Sequence, residues 1–588
     1  MRGMLSNFFR WFKSLPERTV LGVLAFFVGL CSGCAAVVLK LLIGWIHSGI
    51  VDLSASVGHG YLYLVAPGIG MLLSFLFVKY VIKDDISHGV TKVLLAVSKN
   101  ESRIKRRNMW SSVAASAVTI GFGGSVGAEA PIVYSGAAIG SNIARAMKLP
   151  YKDMTILLGC GAAGAVSGIF KAPLAGVLFT LEILLFNISM TSILPLLVSS
   201  ITATVVSYFF LGDAVAFSNT IEAFSWGNMP YYLILGVFCG FMSLYFIRSS
   251  LFAEERIRRI RKPALRWAFC AAMLGILVFL FPQLYGEGYE SLTMMLNKNM
   301  VEVAAGTGES IVFTNQWAVL AFFIALLLVK VFATAFTNAG GGVGGTFGPT
   351  LLSGGIAGFV VARLINLAGI HALPEANFVL VGMAGLMAGV MQAPMTAIFL
   401  IAEITGGYEL LIPLIVTSVV SFATIRTMES YSIYTKRIAQ QGELLTHDSD
   451  QAVLTLLKTS ELVENDFDSV NINGTLGDLV AIISTAHRNI FPVVDDEGHF
   501  QGVVTLDDVR GLMFDRPKYD TVKVTSLMKS APAFVYEDEK MDSVMAKFER
   551  TQAWNLPVVD DENKYCGFVS KSKIFSSYRE QLQQVSHD

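Results

Sequence analysis

Residues 121–140, GFGGSVGAEAPIVYSGAAIG, hold a single acid among glycines inside apolar sequence. Glu129 is the only charge between Arg107 and Arg145, and a stretch of that length crosses a bilayer with residues to spare. A carboxylate at that depth costs about 2.5–3.5 kcal/mol on insertion scales, so a chain rarely keeps one without a task for it. The glycines strip side chains from the backbone ahead of Glu129, and Pro131 suits the first turn of a helix. Bare N–H groups and the positive end of a helix together form a seat for an anion. The plain alternative is a small-residue packing helix with a snorkelling Glu129. An anion pathway accounts for the acid as well as for the glycines.

The 588 residues are 53% hydrophobic and 15% charged, which describes a polytopic membrane protein and excludes a soluble enzyme. A net charge of −1 implies no nucleic-acid partner. Cys31 and Cys34 have the spacing of a redox or metal pair, but they fall mid-span with no second pair, which points to helix packing. At the N-terminus, MRGMLSNFFRWFKSLPER (1–18) mixes Arg and Lys with Phe and Trp and carries no cleavable signal. It reads as an amphipathic helix on the cytoplasmic face.

Uncharged spans begin at 20–39 and 61–78, separated by a short polar connection. Further apolar segments lie at about 111–143, 153–182, 191–211, 229–247, 265–283, 317–366 and 376–426. The basic loops 98–107 and 256–262 (RIRRIRK) belong in the cytoplasm by the positive-inside rule. Several segments are too long for one crossing or are cut by Gly and Pro, so tilted and discontinuous helices are expected. Residues 284–315 form a polar interruption whose fold the pattern does not reveal.

This region repeats. GAAGAVSGIFKAPLAGVLFTLEI (161–183) aligns without a gap to GMAGLMAGVMQAPMTAIFLIAEI (382–404), matching Gly164 to Gly385, Pro173 to Pro394 and Glu182 to Glu403. Upstream, GGSVGAEAP (123–131) pairs with GGGVGGTFGP (340–349), each a glycine run ending in proline. Internal membrane repeats place a substrate site at their interface, lined by broken helices whose N-termini point inward. Beyond about Thr435 the composition is that of a soluble domain, and a second repeat appears. NIFPVVDDEGHFQGVVTLDDVRGLM (489–513) corresponds to WNLPVVDDENKYCGFVSKSKIFSSY (554–578), each reading as strand, acidic turn, strand and helix. Amphipathic patterns at 476–486 and 541–548 precede them.

Together these features resemble the CLC family of chloride channels and chloride/proton exchangers, followed by a tandem pair of CBS domains. The resemblance rests on GAEAP (127–131), GGTFGP (344–349), both proline-plus-glutamate repeats and SIYT (432–435). It implies an all-α polytopic membrane domain of inverted halves with discontinuous helices, then an α+β cytoplasmic CBS pair. The corresponding divisions are 1–18, 19–434 and 435–588, with CBS modules at about 446–515 and 523–582. It further implies a multi-pass protein of the cell membrane with both termini cytoplasmic, acting as a homodimer with one pore per subunit. Glu129 would be the gating glutamate, its carboxylate filling the outer anion site. The anion would meet Gly127, the backbone amides of Thr346 and Phe347, and the Tyr434 hydroxyl. Uncharged donors bind chloride without the deep well that Lys or Arg would create, and a carboxylate competing for the same donors acts as a gate. Glu182 and Glu403 suit hydrogen bonding at helix ends as well as transport.

Three departures from the family pattern matter. The loop that usually carries a central serine reads ISHGVT (86–91), placing His88 at the serine position with Ser87 before it; either could donate to an anion. The arginine usual before the gating glutamate is Ala128. The internal acid that relays protons in exchangers is replaced by Ile183, which has no titratable group. The reading is therefore a gated passive chloride channel. The alternative is a chloride/proton antiporter lacking the usual internal acid. In CBS pairs that bind adenine nucleotides, Ser or Thr and Asp after the second strand hold phosphate and ribose. Thr505 with Asp508, and Ser570, occupy those positions, whereas Lys573 stands where the second acid would be, which leaves at most one good ribose site or, as the alternative, a purely structural or dimerising CBS pair. No other cofactor and no metal is required. Two rivals fit less well. GGSVG (123–127) matches a hydrolase nucleophile elbow but lacks its strand–turn–helix context. A cation pathway would need acidic rings rather than one acid amid amide donors.

Overall fold

A computed structural model describes residues 16–57, 61–184, 192–212, 221–296, 315–440, 457 and 459–586. The amphipathic stretch 1–18 lies almost wholly outside the described residues. Two compact units divide the chain, Met1–Leu445 and Thr446–Asp588.

Among the described residues, eight helices are long and apolar enough to cross a membrane. The first unit starts with α1 (Glu17–Val57) and α2 (Tyr61–Leu76), the latter continuing as a π-helical turn to Ile82. The polar connection expected after residue 39 is instead a continuation of α1 as far as Val57. Next come α3 (Gly89–Lys99), α4 (Ser111–Gly121), α5 (Glu129–Ala146), α6 (Tyr151–Phe170), α7 (Pro173–Phe179) and α8 (Ile193–Leu211). The long helices α9 (Met229–Arg258) and α10 (Pro263–Leu280) lead to a short α11 (Tyr289–Leu296). The second half holds α12 (Gln316–Ala339), α13 (Phe347–Leu367), α14 (Glu375–Met391), α15 (Pro394–Ile404), α16 (Leu411–Arg426) and α17 (Ile433–Gln440). The apolar segments 111–143, 153–182, 317–366 and 376–426 are thus each cut into separate helices, at glycine runs or at Ala-Pro.

The halves repeat in space as they do in sequence. α6 and α14 both end in a left-handed residue, Lys171 and Gln392, after which Pro173 and Pro394 restart a helix. Gly136 packs on Gly161, and Gly354 on Gly382, so closely that a Cβ at Gly161 or Gly382 would stand 1.9 or 2.4 Å from the facing carbonyl. Contacts between the halves are reciprocal. Thr119 Oγ1 accepts from Val343 N–H (3.0 Å), and Thr337 Oγ1 accepts from Ser125 N–H (3.2 Å). Glu182, beyond α7, accepts from the N–H groups of Met395 (3.2 Å) and Thr396 (2.8 Å) at the start of α15. Glu403, near the end of α15, accepts from Leu174 (3.0 Å) and Ala175 (2.9 Å) at the start of α7. Each helix end thus caps the other's beginning, so α7 and α15 run antiparallel about a local two-fold axis. These two half-buried acids are helix caps, and the halves are inverted.

The second unit contains two copies of one small mixed sheet. β1 (Val470–Asn471) precedes α18 (Leu476–Thr485), β2 (Ile490–Val494), β3 (Phe500–Thr505) and the short helices α19 (Leu506–Val509) and α20 (Val524–Leu527). The second copy is β4 (Val535–Tyr536), α21 (Met541–Thr551), β5 (Asn555–Val559), β6 (Tyr565–Ser570) and α22 (Lys571–Ser586). In each, the first strand is parallel to the second and the second antiparallel to the third, with an irregularity after Val493 and after Val558. The acidic turns join the copies reciprocally, Phe500 N–H to the Asn563 carbonyl and Tyr565 N–H to the Gly498 carbonyl, both 3.0 Å.

Candidate functional site

The glycine turns ahead of α5 and α13 meet face to face. Gly127 N–H donates to the Gly345 carbonyl (3.0 Å), and Gly345 N–H returns the bond to the Gly127 carbonyl (2.7 Å). This two-residue bridge brings two helix N-termini to one buried spot. The first intrahelical bonds are Ile132 N–H to Ala128 O and Thr350 N–H to Thr346 O. Preceding amides therefore have no partner within the helix, and Pro131 and Pro349 at the third helical positions lack one altogether. α12 pins the first turn from behind: Lys330 Nζ donates to Ser125 Oγ (2.8 Å), and Thr334 Oγ1 to the Ser125 carbonyl (2.9 Å).

In this nearly symmetric frame, the first helical residues differ. α5 begins with Glu129 and α13 with Phe347. The Glu129 side chain, 2% exposed, turns back toward α13 and accepts from Gly348 N–H through Oε2 (3.3 Å). A Cβ built at Gly127 would stand 2.0 Å from that oxygen, so only glycine leaves room for the carboxylate there. Tyr289, on α11, donates its hydroxyl to Glu129 Oε1. Two residues earlier, Glu287 Oε1 accepts from Ala128 N–H (2.9 Å).

Phe347 is buried, its ring 5.3 Å from Phe170 and 6.3 Å from Phe179. The Thr346 hydroxyl is buried and faces the Tyr434 hydroxyl. Tyr434, on α17, is buried, with its hydroxyl 3.7 Å from Met391 Sδ. Ser87 and His88 are engaged elsewhere. The Ser87 hydroxyl donates to Asp85 Oδ1 (2.6 Å). His88 precedes α3 in a left-handed conformation, with Nε2 3.4 Å from Glu254 and 3.3 Å from an Arg258 nitrogen. Burial and then Arg437 push its imidazole below the ordinary value, outweighing the opposing pull of Glu254, so a charged imidazole is disfavoured there. A cavity of about 190 Å³ opens beside it, lined in part by Lys92, Glu254 and Arg437. Ile183 is buried, as is Leu184 beside it.

Three charged or polar groups at this site were not anticipated. Lys330 is fully buried on α12, and its charge acts on Glu287 and Glu129. It carries the same signal that exposed Glu129, a lone charge in an apolar span. Glu287 and Tyr289 carry no such signal, because they lie in polar sequence and reach the site only by folding.

In the second unit the candidate nucleotide positions are occupied by neighbours. Thr505 N–H (3.0 Å) and Oγ1 (2.7 Å) bond Asp508 Oδ2, and Lys529 pairs with the other Asp508 oxygen. Ser570 Oγ bonds Glu464 and lies 3.1 Å from Ser572 Oγ.

A membrane protein of inverted repeats, whose broken helices aim their N-termini at one buried spot, belongs to the class that moves a solute across the bilayer. The family model described as voltage gated chloride channel matches residues 69–426, and the CBS domain model matches 460–515 and 524–580. The chain belongs to the voltage gated chloride channel family and carries a CBS pair. It is 29% identical over 392 residues to a putative chloride channel protein ClcB-like of Ralstonia nicotianae, covering 65% of this chain and 86% of that protein. It is 27% identical to an H(+)/Cl(-) exchange transporter ClcA of Vibrio cholerae, covering 54% of this chain and 66% of that one. Among solved structures, a slow cyanobacterial Cl-/H+ antiporter shares the fold with a TM-score of 0.62 at 23% identity, covering 73% of this chain and 98% of that one. The protein is an integral multi-pass membrane protein of a chloride-transporting family.

Proposed function

We propose that the protein is a passive chloride channel gated by Glu129. One observation carries this reading: an acid side chain folds back onto the N-terminus of the opposite half's broken helix, where an anion would bind. The carboxylate holds the seat while charged and releases it when protonated or outcompeted. The amides of Thr346 and Phe347, the buried Thr346 hydroxyl and the Tyr434 hydroxyl then continue the path on uncharged donors. Ile183 gives no internal group to hold a proton, which favours free conduction over exchange. The active form would be a homodimer with one path per subunit. An adenine nucleotide would bind the CBS pair at Thr505 and Asp508 once their mutual hydrogen bonds open.

The exchanger reading is supported by relatives named for H(+)/Cl(-) exchange, from Vibrio cholerae and from Yersinia. Reversal potential in opposed chloride and pH gradients separates the two. The channel predicts a value set by chloride alone, and a shift with the proton gradient would overturn it. Glu129→Gln should remove acid activation of chloride efflux. Efflux of sodium in place of chloride would end the proposal.

A further inference from the structure

Residues 282–296 carry no periodicity that reveals their place, yet they grip the start of the gate helix at two successive positions. Glu287 accepts the Ala128 amide (2.9 Å) and Tyr289 donates to the Glu129 carboxylate. The segment is anchored against the turn that ends at Gly127. Gly286 N–H donates to the Gly123 carbonyl (3.2 Å). The Tyr285 ring covers Gly123, whose φ of +92° and a Cβ clash at 2.1 Å both require glycine. Gly286 and Gly288, with φ of +67° and +90°, bend the chain on either side of Glu287.

We propose that Tyr289 is the latch of the outer gate. Its hydroxyl holds one carboxylate oxygen of Glu129 while the Gly348 amide holds the other, so the gate opens only when the phenol lets go. Glu287 acts as a positioning residue that keeps the latch segment registered on α5. The inference rests on Glu129 being the gate and goes beyond it, since nothing in the gate's own motif requires a donor from residues 282–296. Donation from a phenol favours the charged carboxylate over the protonated one. The other charges acting on Glu129 and its surroundings are Glu287, Lys330 from α12 and Lys40 from α1. All of these remain when the phenol oxygen alone is removed.

The test is Tyr289→Phe in the full chain, purified, checked for a monodisperse folded species and reconstituted into proteoliposomes, with chloride efflux followed from pH 4.5 to 8. A charge-assisted hydrogen bond of this kind supports about a tenfold change in the closed-to-open ratio. Efflux at pH 7.5 should therefore rise several-fold, and the pH of half-activation should move up by about one unit. A loss of packing alone would lower efflux without moving that midpoint. Glu129→Ala with and without Tyr289→Phe completes the cycle: once the gate is gone, removing the hydroxyl should change nothing further. An unmoved midpoint in Tyr289→Phe overturns the latch while leaving the gate intact, provided Glu129→Ala abolishes pH dependence. If Glu129→Ala keeps its pH dependence, the gate reading fails and the latch with it.

Discussion

The room for the gate can be removed without touching the gate. In Gly127→Ala, the added methyl would stand 2.0 Å from Glu129 Oε2, where ordinary contact needs about 3.4 Å. The carboxylate must retreat by more than an ångström, and its 3.3 Å bond to Gly348 N–H cannot survive that move. A hydrogen bond to a charged group contributes about 1.5–3 kcal/mol, so the closed state should lose at least a factor of ten in population. The methyl also meets Gly348 N at 2.8 Å, and crowding of this kind costs the fold about 1–3 kcal/mol. The control comes from the pseudo-symmetry. At the equivalent Gly345, a Cβ would meet Ala130 Cβ at 2.8 Å and no carboxylate. Both variants strain the paired turns, but only one evicts the acid. The readout is the ratio of chloride efflux at pH 4.5 to that at pH 7.5, since a methyl narrows the seat for chloride as well and absolute rates mix both effects. Gly127→Ala should bring the ratio close to one, and Gly345→Ala should keep it. A folded Gly127→Ala with wild-type pH dependence, or equal loss in both variants, would refute the reasoning.

The reciprocal caps make a stability prediction. Glu182→Ala removes bonds to Met395 N–H, Thr396 N–H and the Thr396 hydroxyl, whereas Glu403→Ala removes only two amide bonds. Each should cost about 1–2 kcal/mol, with Glu182→Ala the larger, read as unfolding temperature in detergent; no loss in either would show that the caps are not holding α7 and α15. In the second unit, burial raises the Asp508 carboxyl, but Lys529 and Thr505 outweigh it and hold it below the usual range. A depressed value in the folded state means stability that is present above about pH 4 and is lost as pH falls through the folded value. Asp508→Asn should therefore loosen β3 and α19 at pH 7, with the difference from wild type closing below about pH 4. Hydrogen exchange across 500–509 checks this, and a difference independent of pH would contradict it.

Much of this protein was legible from residue order. Lone charges in apolar runs mark buried sites because the lipid penalty is local, and Glu129 stood out for that reason. The repeats 161–183 and 382–404 were legible because equivalent packing demands equivalent small residues and prolines. The CBS copies were legible because strand alternation and acidic turns are short-range patterns. Lys330 carried a local signal as strong as that of Glu129, a lysine in an apolar helix, although its partner Ser125 is 205 positions away.

Residue order also determined that the two glycine turns are alike, but not that they face each other. The Gly127–Gly345 bridge, the crossed Glu182 and Glu403 caps, and the inversion they express are distances between halves, which only folding sets. The same holds for Glu287 and Tyr289, polar residues in a stretch without period. Their meaning lies in which helix end they touch, and a contact across 160 residues leaves no mark on either neighbourhood.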